Sequence, residues 1–318
     1  MKRLASATVL VIALVLGSLL LGRYPLTLNQ LLAGVGGSGP AAMVVSLRVV
    51  RLLAVVLVGA GLGMAGTTYQ AVFANGLASP NVLGVATGAA VGAAFAILAN
   101  WPLWAVQLCA FTTGLVTVAA TLSLAKVLPE RSRLNLVLAG MLTGGLMSSL
   151  LGSIKYLADP EDSLPTIIYW EMGSFAKVNA STLWAVAPVL IACMVALWLL
   201  RWRLTVMSLD AATIFSLGIH PKRSRNLLVT LATVLTAGCV CLCGVVGWVG
   251  LVVPHVARGL AGVDERHALP MAAMCGAGLM VLADTLARTV SVNDIPLSIV
   301  TGFIGVPLLV LLLTRRTK

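Results

Sequence analysis

Charge is what this chain has least of. Of its 318 residues 10% are Asp, Glu, Lys or Arg, with 10 acids against 21 bases, only 3 histidines and 5% aromatics. A water-soluble fold of that composition would aggregate, and the scarcity of acids disfavours a proton-coupled carrier, which places acidic groups at mid-membrane. Apart from Asp284, the acids fall in loops or near the ends of apolar runs. No G-x-x-x-x-G-K-[ST] loop, H-E-x-x-H or G-x-S-x-G occurs, so neither ATP hydrolysis nor peptide or ester cleavage is encoded in a familiar form. The bases are dispersed over several loops rather than gathered in one patch, which argues against a nucleic-acid partner. Cys109, Cys193, Cys239, Cys241, Cys243 and Cys275 all lie within apolar runs, where cysteine behaves as a small apolar residue. Cys239-x-Cys241-x-Cys243 has the wrong period for a metal site on a helix, since a spacing of two points side chains to nearly opposite faces.

What is present is apolar length. The chain is 59% hydrophobic with a mean hydropathy of +1.04, and a hydrocarbon core about 30 Å thick needs roughly 20 apolar residues per helical span. Charges, prolines and polar clusters divide the sequence into ten candidate spans, at about 4–22, 48–69, 82–99, 103–125, 134–157, 181–200, 226–244, 246–260, 268–288 and 297–314. The first run is too long for a cleaved leader and reads as a retained helix. The eighth is short and glycine-rich, and is expected to be bent or buried in protein, where irregular backbone is tolerated. No stretch between spans can hold a soluble domain, so residues 1–318 read as one all-α polytopic membrane domain.

Ten crossings put both termini on one side. With the N terminus inside, 15 of the 21 Lys and Arg fall in inner segments, which predicts cytoplasmic termini and makes the net charge of +11 a topological signal. The 31 glycines, among them Gly59, Gly61, Gly63 and Gly66 in one run and Gly84, Gly88 and Gly92 in another, predict close approach of helix backbones.

Four groups of residues remain to be weighed as functional candidates. Asp284 and Arg288, at i and i+4, are spaced for an ion pair on one helix face. The inner segment 201–225 contains a short amphipathic stretch with Asp210 near its start, Leu209, Ile214, Leu217 and Ile219 as apolar anchors, and a stop at Gly218. Such a helix lies on the membrane or docks in a groove of a soluble partner. His255 beside Pro254 is expected to be hydrogen-bonded structure rather than a haem ligand. The outer segment 158–180, with Tyr169, Trp170 and Phe175, reads as an interfacial belt.

Several separated motifs, in order, resemble the permeases of ATP-binding-cassette importers for iron-siderophores, haem and cobalamin, the FecCD type. They are Arg48-Val-Val-Arg51, the run from Gly59 to Gln70, Asn75-Gly-Leu-Ala-Ser-Pro80, Leu138-Ala-Gly140, Tyr169 to Phe175, Leu217-Gly218, Gly247 to Arg258, Gly262 to Pro270, Ala283-Asp284 to Arg288, and Pro296 to Pro307. The resemblance implies a type II importer permease of ten helices in a bacterial inner membrane. Its partners would be a second permease subunit, identical or sister, two cytosolic ATPases that hold ATP and Mg, and an extracytoplasmic substrate-binding protein; this chain would bind no cofactor itself.

By the same resemblance Arg48, Arg51 and Arg288 would face solvent and engage acids of the binding protein. Asp210, Ile214, Leu217, Gly218 and Ile219 would couple to the ATPase, and Asn75 with Leu77 would form a cytoplasmic gate. Met141, Thr143, Met147, Ser148 and Ser149 are candidates for the pathway wall. Val50 and Gly76 stand where the family usually has proline. The expected cargo is a ferric siderophore, with haem or cobalamin as the alternative on the same scaffold and a non-transporting scaffold or intramembrane enzyme as the alternative of another class.

Overall fold

A computed structural model describes residues 2–22, 39–128, 133–207, 209, 211–291 and 293–316. Thirteen α-helices and one 3-10 turn, with no strand, form among them: α1 Lys2–Leu20, α2 Pro40–Phe73, the 3-10 turn Pro80–Leu83, α3 Val85–Leu98, α4 Leu103–Val127, α5 Arg133–Leu157, α6 Ser163–Glu171, α7 Ala180–Leu199, α8 Arg201–Met207, α9 Ala211–Ser216, α10 Pro221–Cys243, α11 Val249–Ala261, α12 Glu265–Thr289 and α13 Leu297–Arg316. Each of the ten apolar runs corresponds to one helix. Seven are long and apolar enough to cross a membrane, and α3, α11 and α13 are shorter apolar helices. The end of the bundle where α1 begins, and where most Lys and Arg lie, is termed the basic end.

At the centre is α2, whose 34 residues exceed what a bilayer requires. Pro40 stands in its first turn, where a missing N–H costs nothing, and Ala74 closes it in the left-handed conformation with φ 49°. Its neighbours approach closely because α2 carries glycines where they cross. A Cβ on Gly59, Gly63 or Gly66 would run into the backbone of Gly276, Ala272 or Gly250 respectively. Those crossings seat α11 and α12 directly on α2, as the small-residue pattern predicts. A lipid-facing surface surrounds this interior, with Val9, Leu16, Met43, Leu108, Val116, Trp184 and Phe303 exposed.

Two spans fall short of the bilayer for a shared reason. At 14 residues α3 measures about 21 Å and at 13 residues α11 measures about 20 Å, so part of each crossing is irregular chain. The sequence places a span at 82–99, yet Pro80–Leu83 forms a 3-10 turn closed by Gly84 at φ 75° before α3 begins. Residues 244–248 connect α10 to α11 within the protein. There the carbonyl of Cys243 accepts from Ser174 N at 2.7 Å and that of Val245 from Ser298 Oγ at 2.8 Å. Buried partners thus replace water for this backbone. The 158–180 segment, expected as a belt, contains α6 and a buried Phe175.

Candidate functional site

At the end opposite the basic one, a cluster of charge lies inside the protein. Asp284, late in α12, is fully buried. Arg51 of α2 donates to its Oδ1 through Nε at 2.9 Å and Nη2 at 2.7 Å, and reaches Asp294 Oδ2 with Nη1 at 2.8 Å. Arg288 Nε stands 3.4 Å from Asp284 Oδ2. The remaining donors of Arg288 cap the C-terminus of α1, to Leu21 O at 2.7 Å and Ser18 Oγ at 2.6 Å, and Arg48 Nη1 does the same to Leu19 O at 2.7 Å. Cations at the carbonyl end of a helix complement its dipole.

The expectation that Arg48, Arg51 and Arg288 face solvent is therefore corrected. Arg48 is 9% and Arg288 7% exposed, and the Arg51 side chain 18%. Bringing three guanidinium groups to one buried carboxylate and the end of α1 offsets charges that would be costly to bury alone, although Asp284 Oδ2 and Arg288 Nε meet as an ion pair without a hydrogen bond. The Asp284–Arg288 pairing is present, but the closer partner of Asp284 is Arg51.

At the basic end the polar groups form a chain of contacts. Thr205 of α8 donates to Asp264 Oδ1 at 2.9 Å, and the same oxygen caps α12 by accepting from Arg266 N at 2.9 Å. Beside it, Glu265 Oε1 accepts from Arg258 Nε at 3.0 Å, and Arg258 Nη1 donates to Gln70 Oε1 at 2.6 Å. Gln70 returns a hydrogen bond from Nε2 to Leu251 O at 3.1 Å, and its backbone carbonyl accepts from Asn75 N at 3.1 Å. Among the described residues Glu265 Oε2 is buried without a hydrogen-bond partner, as are Asp284 Oδ2 and Arg288 Nε at the other end. The contacts run from the 201–219 segment to the turn after α2.

That turn contains the expected gate pair. Asn75 Oδ1 accepts from Leu77 N at 2.9 Å, an Asx turn, and Leu77 is 60% exposed. His255 makes the structural bond expected of it, Nε2 to Gly76 O at 2.8 Å. Gly76 has a packing reason that proline would violate: a Cβ there would stand 3.0 Å from His255 Cε1.

Along 201–219, the residues expected to couple divide. Asp210 lies outside the described residues. Ile214, expected on the partner-facing side, is corrected: at 2% exposure it pins α9 to the body. Leu217 is 55% and Phe215 64% exposed, and the sequence reading missed Phe215. A six-residue helix is too short for its period to reveal which face is buried. Gly218 ends the turn at φ 74°, with Gly218 N donating to Phe215 O and Ile219 N to Ile214 O.

Of the pathway candidates, Met141, Ser148 and Ser149 are exposed on one side of α5 and Met147 is half-buried. Thr143 is corrected to a packing role, because its buried Oγ1 lies 2.5 Å from Thr121 Oγ1 in α4. Gly145 and Gly152 belong to the open face, with nothing within 4 Å of where a Cβ would stand. From Leu138 to Ser153 this helix carries no charge.

An all-helical bundle with buried irregular crossings, a protruding loop at its basic end and an open neutral helix face has the build of a type II importer permease. The comparisons agree. The profile of the FecCD transport family matches residues 10–315. The molybdate import system permease protein of Haemophilus influenzae is 35% identical over 96% of this chain and 94% of its own length. The Fe(3+) dicitrate permease protein of Escherichia coli is 33% identical over 91% and 88%, and the vitamin B12 import permease of Serratia proteamaculans 38% identical over 87% and 84%. A solved inward-facing structure, described as an ABC transporter of the metal-chelate type, superposes with a TM-score of 0.89 at 34% identity, covering 98% of both chains. The chain belongs to the FecCD transport family: it is a multi-pass membrane subunit of an ABC importer, and it translocates rather than catalyses.

Proposed function

We propose that the chain carries a ferric siderophore, handed over by a substrate-binding protein, through a path bounded by α5. The open face of that helix carries the reading. Its uncharged surface of leucine, methionine, serine and unobstructed glycine suits a bulky chelate whose metal charge is already screened by its ligand. A bare oxyanion would be held more strongly by cations along its way, and this face has none from Leu138 to Ser153. In this reading two permease subunits, identical or sister, assemble with two cytosolic ATPases that hold ATP and Mg, and this chain holds no cofactor. The basic end faces the cytoplasm of a cell whose inner membrane it spans.

Leu217, with Phe215 beside it, meets the ATPase, while Gly218 and the inward Ile214 set the angle of the loop and Ile219 closes its turn. Asn75 and Leu77 close the path at the basic end. The outer arginines enter as the frame of the docking surface rather than its contacts, since Arg48 and Arg288 already hold the end of α1.

A second reading has its own support, the 35% identity to a molybdate permease over nearly the whole chain. Uptake of labelled ferric siderophore, molybdate, haem and cobalamin, measured in parallel in a strain deleted for this chain and restored with it, decides between them. Restored iron uptake alone supports the siderophore; restored molybdate uptake alone overturns it. Coupling is checked separately with Gly218→Val, which forces a branched side chain into a left-handed backbone position. The complex should remain in the membrane and hydrolyse ATP while uptake falls at least about tenfold. Uptake at the wild-type rate would remove this loop from the coupling path.

A further inference from the structure

Away from α5, the first turns of α4 and α7 enclose a groove of about 410 Å³ against the end of α10, at the end opposite the basic one. Its walls are mostly carbon, with Trp104, Leu108 and Phe111 on one side and Val186 and Val189 on the other, and Ser181 and Thr182 of the first turn of α7 add hydroxyls. At its edge stands Gln107, which is 9% exposed and has no hydrogen-bond partner among the described residues. Its amide borders open space rather than a protein partner, and the groove is the larger of the two cavities it lines.

The same Gln107 borders a second, smaller crevice with Lys177 and Ser174. Lys177 is exposed, forms no ion pair among the described residues, and precedes the Asn179 cap that starts α7. Lys177 shares the crevice with Gln107, and Gln107 shares the groove with the hydrocarbon walls, so cation, amide and hydrocarbon adjoin in that sequence; Trp104, in the first turn of α4, is 65% exposed, as tryptophan at a membrane interface is. This is the order of groups along an anionic glycerophospholipid: phosphate, ester carbonyl, acyl chain.

We propose that the groove is a specific site for an anionic glycerophospholipid. One acyl chain fills the space between α4 and α7, the ester carbonyl accepts from Gln107 Nε2, and the phosphate pairs with Lys177. The groove takes no residue from α5, so the bound lipid is a structural companion rather than cargo.

Native mass spectrometry of the full chain, purified in detergent and supplied with phosphatidylglycerol or phosphatidylcholine, tests this. Wild type should retain phosphatidylglycerol at least about fivefold better than phosphatidylcholine. Lys177→Ala should abolish that preference while leaving weak binding of both lipids, and Gln107→Leu should lower retention of both. Leucine at 107 removes an unpartnered amide from an apolar surrounding, so the variant should melt no lower than wild type and its loss of lipid cannot be ascribed to misfolding. Equal phosphatidylglycerol retention by wild type, Gln107→Leu and Lys177→Ala would overturn the site. So would a photo-crosslinker at Trp104 that captures a second polypeptide in the membrane instead of lipid.

Discussion

The two ends of α12 meet α2 through opposite arrangements of the same chemistry. At one end Asp284 has an arginine at each oxygen, Arg51 hydrogen-bonded to Oδ1 and Arg288 at 3.4 Å from Oδ2, and Arg51 is held a second time by Asp294. At the other, Arg258 divides its guanidinium between Glu265 and Gln70, and Glu265 Oε2, like Asp284 Oδ2 at the first, accepts no hydrogen bond among the described residues. The first cluster ties α1, α2 and α12 into one arrangement. In the second, Arg258 could turn both nitrogens to Glu265, a bidentate pairing that carboxylates favour, and let Gln70 go. If, as proposed, the path is closed and opened by Asn75 and Leu77 at the basic end, one fixed end and one exchangeable one is the division such a transporter needs.

The largest effect is expected where the fixed cluster is broken. Asp284→Asn leaves Arg288 without a carboxylate and Arg51 with only Asp294, in a place water scarcely reaches. Removing one member of a buried ion pair costs about 3–5 kcal/mol, a large share of an ordinary folding stability of about 5–15 kcal/mol. The variant should lose most of its monodisperse material in detergent and melt well below wild type. Melting within error of wild type would mean that the cluster is not the clamp its geometry describes.

A smaller effect separates the two ends. Arg258→Lys keeps the charge but loses the fork, so Glu265 retains a partner and Gln70 Oε1 does not. The expected loss is about 0.5–1.5 kcal/mol, the scale of one net hydrogen bond, seen as a minor drop in melting temperature. Transport per ATP hydrolysed should change more than stability does. If Arg258→Lys proves as damaging to the fold as Asp284→Asn, the two ends are equivalent and the contrast fails.

How much of this was legible before any coordinates follows from range and length. Ten apolar runs gave ten helices because lipid demands continuous hydropathy, and the glycine runs announced the crossings at Gly59, Gly63 and Gly66. Asp284–Arg288 could be read at four residues' spacing. Arg51–Asp284 could not, since 233 positions separate the partners and nothing local records their meeting. The outer arginines were placed in solvent because span-end charge usually lies there; only the fold shows α1 ending against them. Thr143 and Ser149 look alike in sequence, and it is the approach of Thr121 that buries one of them. Gln70 and Glu265 were missed, although a glutamine inside an apolar run is itself a signal that a polar partner waits in the interior.

The smallest expected effect lies at the mouth of the exchangeable end, on Asp264. Donation from the Arg266 N–H, then from the Thr205 hydroxyl and the nearby positive charges, holds this carboxyl below the usual aspartate range, while its slight burial works the other way. A group whose value is depressed by folding binds its proton more readily in the unfolded chain. Its contribution is therefore complete above about pH 4, the ordinary aspartate value, and is lost as pH falls from there through the folded value. Asp264→Asn keeps a side chain that caps helices well, so at neutral pH stability should change little, by a few tenths of a kcal/mol at most. Asp264→Ala removes the cap and should cost about 0.5–2 kcal/mol at neutral pH. Melting curves of wild type and Asp264→Asn, taken from pH 6 downward, should converge as the wild-type carboxylate is protonated. A constant gap across that range would place the contribution of Asp264 in the shape of the cap and not in its charge, and would leave the exchangeable end governed by Arg258 and Glu265 alone.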